Sequence, residues 1–422
     1  MAEQLNAYLE GALVGTFARE RGRVAFDYAD SWDDRVMFSA SLPTSRRHHD
    51  GPAPLNYLEN LLPDDADTID RWVRTMPDAR AANPLSILAY VGLDTAGGAQ
   101  FTVGELPTAR ESGVDPVDEH DIAEHIRGLR TDPTTWLLPT EHRGKISLAG
   151  AQAKFALKRT ADGWAVPYGD EATTHIFKPG VSRLRDLDII EHLSQSTARR
   201  VGLDAANSAV MAFEDQSVIV IERYDRAMDG DAVRRIHQED LCQAAGVSPR
   251  TKYESDGGPG IEDVARIIRD LVPGRRGLAE VEGFLRANAY NWLIAGTDAH
   301  AKNYSLLHTD RGTRLAPLYD IASILPYEKS GRGLKLAMKV DSSYEIRVIS
   351  SRHWERVAGR LGLDATAFID WVRTTNQLIP DAVSDASAEL RSQGILDKTS
   401  LVDRLAERSA RVAAELNRLT GT

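Results

Sequence analysis

"NWLIAGTDAHAKN", residues 291–303, joins an apolar run to four chemically distinct polar residues. Trp292, Leu293 and Ile294 read as the end of a buried helix, and Ala295 and Gly296 as a small-residue turn. Asp298, His300, Lys302 and Asn303 then follow within six positions. Two readings stand side by side. The four could be polar groups that cap a helix end, where the last carbonyls need partners. They could instead be reactive groups that a rigid helix carries into a site.

Spacing separates the candidates further. Asp298 and Asn303 are five apart, as are the Asp and Asn of the protein-kinase catalytic loop. There the Asp takes the substrate hydroxyl proton and the Asn binds a magnesium ion. "GTD" stands where kinases carry His-Arg-Asp. Seventeen residues after Asn303, the run Leu315 to Tyr319 ends in Asp320. A strand-end Asp is either a turn residue or a hard oxygen ligand for magnesium, which takes few protein carboxylates.

Upstream, "THIFKPG" ends an apolar strand in Lys178, and the helix pattern "LRDLDIIEHLSQSTARRVGL" carries Glu191. A phosphate-contacting lysine needs such a carboxylate; a surface lysine and a solvated glutamate are the plain alternative. "KISLAGAQAKFAL" (145–157) places Ala149, Gly150, Ala151, Gln152, Ala153 and Lys154 in a turn. Small residues there let backbone N–H groups approach phosphate oxygens. The turn is neither a Walker motif nor GxGxxG, and Ser147 just before it reads by default as a strand residue. "VIVIERYDR" sets Glu222, Arg223 and Tyr224 at the end of another apolar strand, the junction whose backbone holds the adenine edge in kinases. The sequence order of turn, Lys, helix Glu, junction, Asp-x4-Asn and Asp is the order in a kinase.

The rest of the chain bounds these readings. It has 422 residues, 42% hydrophobic and 27% charged, enough for two or three domains. No apolar run approaches the roughly 20 residues of a membrane span. "MAEQLNAYLEGALVG" lacks the basic flank and apolar core of a signal peptide, which predicts a cytoplasmic protein. Cys242, the single cysteine, excludes an intramolecular disulfide and a thiolate zinc site. A net charge of -11 argues against broad nucleic-acid binding by the chain alone.

The pattern predicts an α+β, two-lobed, protein-kinase-like fold with an added N-terminal part. Residues 1–110 read as a β-rich subdomain, with an antiparallel sheet over "LNAYLEGALVGTFARERGRVAFDYADSW" and a helix over "PLNYLENLLPDD". Residues 119–228 read as a small lobe whose strands are "KISLAG", "AKFALKR", "GWAVPY", "THIFKP", "SAVMAF" and "QSVIVIERYD", carrying one helix. Residues 229–422 read as an all-helical lobe that begins near "QEDLCQAAG". The polar stretch 106–121, with two prolines and a glycine, is the expected boundary.

Taken together, "ISLAGAQAKFAL", "THIFKPG", "VIERYDR", "QEDLCQAAGVSPRTKYESDGGPGI", "WLIAGTDAHAKNYS", "LAPLYDIAS" and "LKLAM" closely resemble the HipA-type toxin kinases of bacterial type II toxin–antitoxin systems. "SLPT" and "NLLPD" extend the likeness to nearly the whole chain. The resemblance implies a serine/threonine protein kinase that uses ATP and Mg2+. It implies a helix-turn-helix antitoxin of the HipB type, and operator DNA reached through it. The family precedent for a substrate is an aminoacyl-tRNA synthetase, the glutamyl enzyme, with growth arrest and persistence as the outcome. By position, Ala149 to Lys154 line the phosphate turn, Lys178 contacts the nucleotide with Glu191 as its ion-pair partner, and Glu222 to Tyr224 form the hinge. Asp298 is the acid-base residue. His300, Lys302, Asn303, Tyr319 and Asp320 face the nucleotide, and Asn303 with Asp320 hold the metal. Ser147 matches the serine whose autophosphorylation switches the kinase off. Two other classes remain open: a silent antitoxin-binding pseudokinase, and a metal hydrolase built on Asp298, His300 and a further histidine such as His308.

Overall fold

Burial alternates along Gln4–Leu9, and Val24, Phe26 and Tyr28 of Arg23–Tyr28 are buried on one side of their strand. The computed structural model describes residues 3–20, 22–138, 147–181, 184–229, 232–328, 333–395 and 398–418. In it these strands form an antiparallel meander with Ala12–Glu20, setting Leu5 opposite Phe17 and Phe17 opposite Phe26. His48–His49 and Gln100–Thr102 flank the meander to complete five strands. The expected N-terminal sheet and the helix Ala53–Glu59 are therefore present.

A second sheet has six strands in the order Ser208–Phe213, Gln216–Glu222, His175–Lys178, Phe155–Thr160, Gly163–Tyr168 and Gly113–Val117. Five of the six strands expected for the small lobe are there; "KISLAG" is not among them. Its Lys145 and Ile146 lie outside the described residues, and Ser147–Gly150 forms only an isolated bridge from Gly150 to Pro63. The physical reason is local. Ser147 spends its N–H on the Asp94 carbonyl (3.0 Å), and Gly150 turns the chain at φ +102°.

The chain packs as two compact units. The first comprises Met1–Pro179, Met211–Arg250 and Ser305–Arg314; the second comprises Gly180–Val210, Thr251–Tyr304 and Leu315–Thr422. These cut across the expected division at 1–110, 119–228 and 229–422. Within the first unit a single apolar core runs from Phe17, Phe26, Phe38 and Tyr57 through Leu148 to Phe155 and Phe177. A chain boundary at 106–121 does not interrupt that core. Helix Leu187–Arg200, expected on the small lobe, belongs to the second unit. It is buried from Asp188 to Ala198, far more than one face, and packs on Ala365–Ser392.

The C-terminal half is not all helical. "QEDLCQAAG" starts as strand His237–Asp240, which pairs antiparallel with Ser305–Thr309. Asp240 then caps helix Leu241–Ala245, its carboxylate accepting from the Gln243 N–H at 2.8 Å while the Gln243 side chain accepts from the Asp240 N–H at 2.9 Å. Lys335–Val340 and Ser343–Glu345 form a hairpin inside the second unit. Around it stand the expected amphipathic helices Ile261–Leu271, Gly274–Ile294, Ser351–Arg360, Ala365–Ser392 and Leu401–Arg418. Among the described residues no helix is long and apolar enough to cross a membrane.

Candidate active site

Helix Gly274–Ile294 is buried throughout its last turns, from Ala287 to Ile294. Its final carbonyls therefore need protein partners. Asn291 O accepts from the Gly296 N–H at 2.7 Å. Trp292 O and Leu293 O accept from the Arg408 guanidinium, the second at 2.6 Å. Ile294 O accepts from the Ser323 hydroxyl at 2.6 Å. Ala295, at φ 56°, closes the helix in the left-handed conformation. These four carbonyls take donors from Gly296, Arg408 and Ser323. Two of the three donors, Ser323 and Arg408, come from distant parts of the same unit.

The loop beyond has its own wiring. His300 N–H donates to Asp298 O (2.8 Å), and Asn303 N–H to His300 O (2.9 Å). The Asn303 side-chain amide also donates to Asp298 O, at 2.7 Å. His300, Lys302 and Asn303 are buried, whereas Asp298 is exposed. Its carboxylate Oδ1 accepts a hydrogen bond from the Tyr253 hydroxyl. The Tyr319 hydroxyl donates to Lys302 O at 2.8 Å, which ties the segment bearing Asp320 to the segment bearing Asn303. Asp320 is half-buried with a left-handed backbone (φ 56°), and Leu318 is held on both sides by Asp204 O and Ala206 N–H at 2.8 Å.

A magnesium ion takes hard oxygen donors, and Asn303 and Asp320 supply an amide and a carboxylate. The amide bond to Asp298 O fixes the Asn303 side chain, so its oxygen is presented on the other branch of the amide. The donor set fits. Among the described residues no group of three His, Cys, Asp or Glu side chains is placed to hold a metal. An Asn–Asp pair completed by phosphate and water does not require one. His308, the candidate third hydrolase ligand, lies in the first unit with both ring nitrogens engaged, by Thr313 Oγ1 and Glu239 Oε1 at 2.9 Å.

The remaining candidates divide between the units. Ser147, the turn 149–154, Lys178 and Glu222–Tyr224 lie in the first; Glu191, Asp298, His300, Lys302, Asn303, Tyr319 and Asp320 lie in the second. In the turn, Lys154 Nζ donates to Ala149 O at 2.6 Å and stands 5.2 Å from the Trp136 ring centre. Gly150 O accepts from the Asp64 N–H at 3.0 Å, and the Gln152 amide donates to Pro179 O at 3.3 Å. Lys178 is buried in the sheet opposite Ile219. Glu191 is buried and accepts from the Gln195 amide at 3.1 Å. Ser147 is fully buried, its hydroxyl donating to Leu61 O at 2.7 Å.

At the junction, Glu222 is exposed but Arg223 is not. Its N–H is used by Thr174 O (2.9 Å), and its guanidinium grips Asp225 at 2.7 and 3.0 Å. The Arg223 N–H is therefore spent inside the protein. Asp94 joins the same buried group, 2.6 Å from Arg226 and from the Thr173 hydroxyl. Burial alone would raise the Asp94 carboxyl, but Arg226, Arg223 and Arg235 outweigh it and hold it far below the usual range. Asp94 thus connects the junction to Ser147 through its own carbonyl. Nothing in "VGLDTAGG" marks it as such. Tyr253 and Arg408 were equally invisible, since neither lies at a telling distance in sequence from the residues it serves. A cavity of about 820 Å³ lined by Trp72, His125 and Trp136 in the first unit includes none of the candidates.

A mixed α+β chain in which Asp-x4-Asn leaves a buried helix and is tied to a second Asp segment belongs to the kinase-like class of folds. Residues 5–102 match the HipA N-terminal domain model and residues 146–383 the HipA-like C-terminal domain model. The Sinorhizobium fredii protein Y4mE, whose name carries a provisional kinase assignment, is 33% identical over 373 residues, 85% of this chain and 86% of its own. The Shewanella oneidensis serine/threonine-protein kinase toxin HipA is 28% identical over 399 residues, 90% of this chain and 88% of its own. A solved complex of Shewanella oneidensis HipA, HipB and operator DNA aligns with a TM-score of 0.79 at 26% identity, covering 98% of this chain and 97% of that one. The chain belongs to the HipA family.

Proposed function

We propose that the chain is a toxin serine/threonine protein kinase of a type II toxin–antitoxin module. One observation carries this reading: the polar loop 298–303 is built around Asp298 while other residues cap the helix that bears it. Asp298 then orients a serine or threonine hydroxyl and takes its proton as the phosphoryl group is transferred from ATP. Asn303 and Asp320 would hold Mg2+, which when bound would neutralise phosphate charge. By family precedent the phosphate-holding role falls to Lys178 and the turn Ala149–Lys154, and the role of the helix carboxylate to Glu191. The hinge role falls to the backbone of Glu222 and Tyr224, the Arg223 N–H being committed to Thr174. Such chemistry is positioning and charge compensation more than covalent work.

Four finer elements rest on the family. A HipB-type antitoxin fits the likeness to the HipA–HipB–DNA complex; an aminoacyl-tRNA synthetase as target, and growth arrest as the result, follow family precedent. Autophosphorylation of Ser147 carries a structural condition. The hydroxyl is buried against Leu61 O. Ser147 must leave that seat to be modified, and a phosphate of nearly two negative charges would not return to it.

The test is transfer from labelled ATP with Mg2+ and peptide mapping, for wild type and Asp298→Asn. Label in wild type alone, with equal melting temperatures, is the expected result. Equal labelling of the two proteins would refute the assignment of Asp298. No transfer by unphosphorylated, antitoxin-free wild type to itself or to a synthetase panel would favour the silent binding protein.

A further inference from the structure

The Asp298 carboxylate has one side-chain partner that the loop itself does not provide. It comes from Tyr253, which is 45 positions earlier in the chain. We propose that Tyr253 is a positioning residue for phosphoryl transfer, fixing the rotamer of Asp298 so that Oδ1 is held and Oδ2 meets the substrate hydroxyl. The inference rests on the kinase reading given above.

Four observations support it. First, Tyr253 O–H donates to Asp298 Oδ1, so the phenol acts on the reacting group directly. Second, the ring stands edge-on to His300, with centres 4.8 Å apart and planes at 89°. Third, the neighbouring residue joins in: Ala301 N–H donates to Lys252 O at 3.2 Å, and Lys252 Nζ lies 5.7 Å from the Tyr253 ring centre. Residues 252–253 and 298–301 therefore form one hydrogen-bonded body.

Fourth, the segment presenting Tyr253 is itself rigid. Tyr253 O accepts from the N–H groups of Asp256 (3.0 Å) and Gly258 (2.9 Å). A Cβ on Gly258 would stand 2.1 Å from Thr251 O, so only glycine permits this fold-back. Glu254, the next residue, accepts from the Lys339 N–H at 2.6 Å and pairs with its ammonium at 3.4 Å. The turn is thereby pinned to strand Lys335–Val340.

An exposed aspartate samples several rotamers, and only some align a carboxylate oxygen with an incoming hydroxyl. Asn303 holds the Asp298 main chain and Tyr253 holds its side chain. The aspartate is thus constrained at both ends before a substrate arrives. The role is positional, since the phenol reaches the substrate only through Asp298.

The test uses the full chain with Tyr253→Phe, which keeps the ring packing on His300 and removes the hydroxyl, and Tyr253→Ala, which removes both. Phosphoryl transfer is measured with Mg2+ and ATP alongside the melting temperature. We expect Tyr253→Phe to lower kcat about tenfold, with the KM for ATP and the melting temperature unchanged. Unchanged kcat in Tyr253→Phe would overturn the positioning role while leaving the kinase reading intact. A raised KM with unchanged kcat would overturn it too, assigning Tyr253 to binding. Absence of transfer by wild type overturns the kinase reading and this inference with it.

Discussion

At the scale of single residues, Gly150 tests the phosphate turn without touching Asp298. Its φ of +102° is costly for any residue with a side chain. An added Cβ would also stand 2.7 Å from Lys154 Nζ, which holds Ala149 O. Gly150→Ala should cost about 1–2 kcal/mol in stability, and it should raise the KM for ATP more than it lowers kcat. Urea unfolding and initial rates check both halves. The sequence disclosed Gly150 because small residues between apolar runs are visible. It did not disclose that Ser147 is sealed beneath Leu61, since hydrogen bonding across 86 positions leaves no local mark.

At the scale of elements, the end of helix Gly274–Ile294 depends on helix Leu401–Arg418. Arg408, half-buried, donates to two of its last carbonyls, its guanidinium 6.0 Å from the Trp292 ring centre. Burial pushes the Arg408 side chain down to about 10, which still leaves it protonated at neutral pH. Arg408→Ala leaves two buried carbonyls without their donor and should cost roughly 2–4 kcal/mol. Arg408→Lys, with a single compact donor group, should recover part of this. Chemical denaturation measures both. The apolar run Trp292–Ile294 announced the helix from sequence. Its capping was not legible, because the donor lies 115 positions downstream.

At the scale of the whole molecule, stability should fall on acidification. His125, His192 and His237 are each lowered to about 4, chiefly by burial. A histidine depressed in the folded state and ordinary in the unfolded state contributes stability above about 6.5. That contribution is lost as pH falls from there towards 4, because the unfolded chain binds the proton first. Asp94 and Asp225 act in the same direction at lower pH: their arginine partners, overcoming burial, keep both carboxyls depressed. His120, raised by its hydrogen bond to Glu214, has the opposite sign, but it is fully exposed and screened. Urea midpoints should therefore drop continuously from pH 7 to pH 4. A flat profile over that range would contradict the buried neutral histidines.

Local chemistry was legible in the chain itself. Period-two and helical spacing gave most strands and helices, and the apolar run Trp292–Ile294 marked the buried helix that leads into the Asp298 loop. These are short-range signals, written within a few residues. Tertiary structure decided what depends on distant partners. It merged the N-terminal sheet and the six-stranded sheet around one core and assigned helix Leu187–Arg200 to the other unit. It buried Ser147 and Arg223, and it brought Tyr253 to Asp298. A core is shared wherever apolar faces meet, and a hydrogen bond forms wherever the folded backbone delivers donor to acceptor; neither leaves a period or a spacing in the sequence.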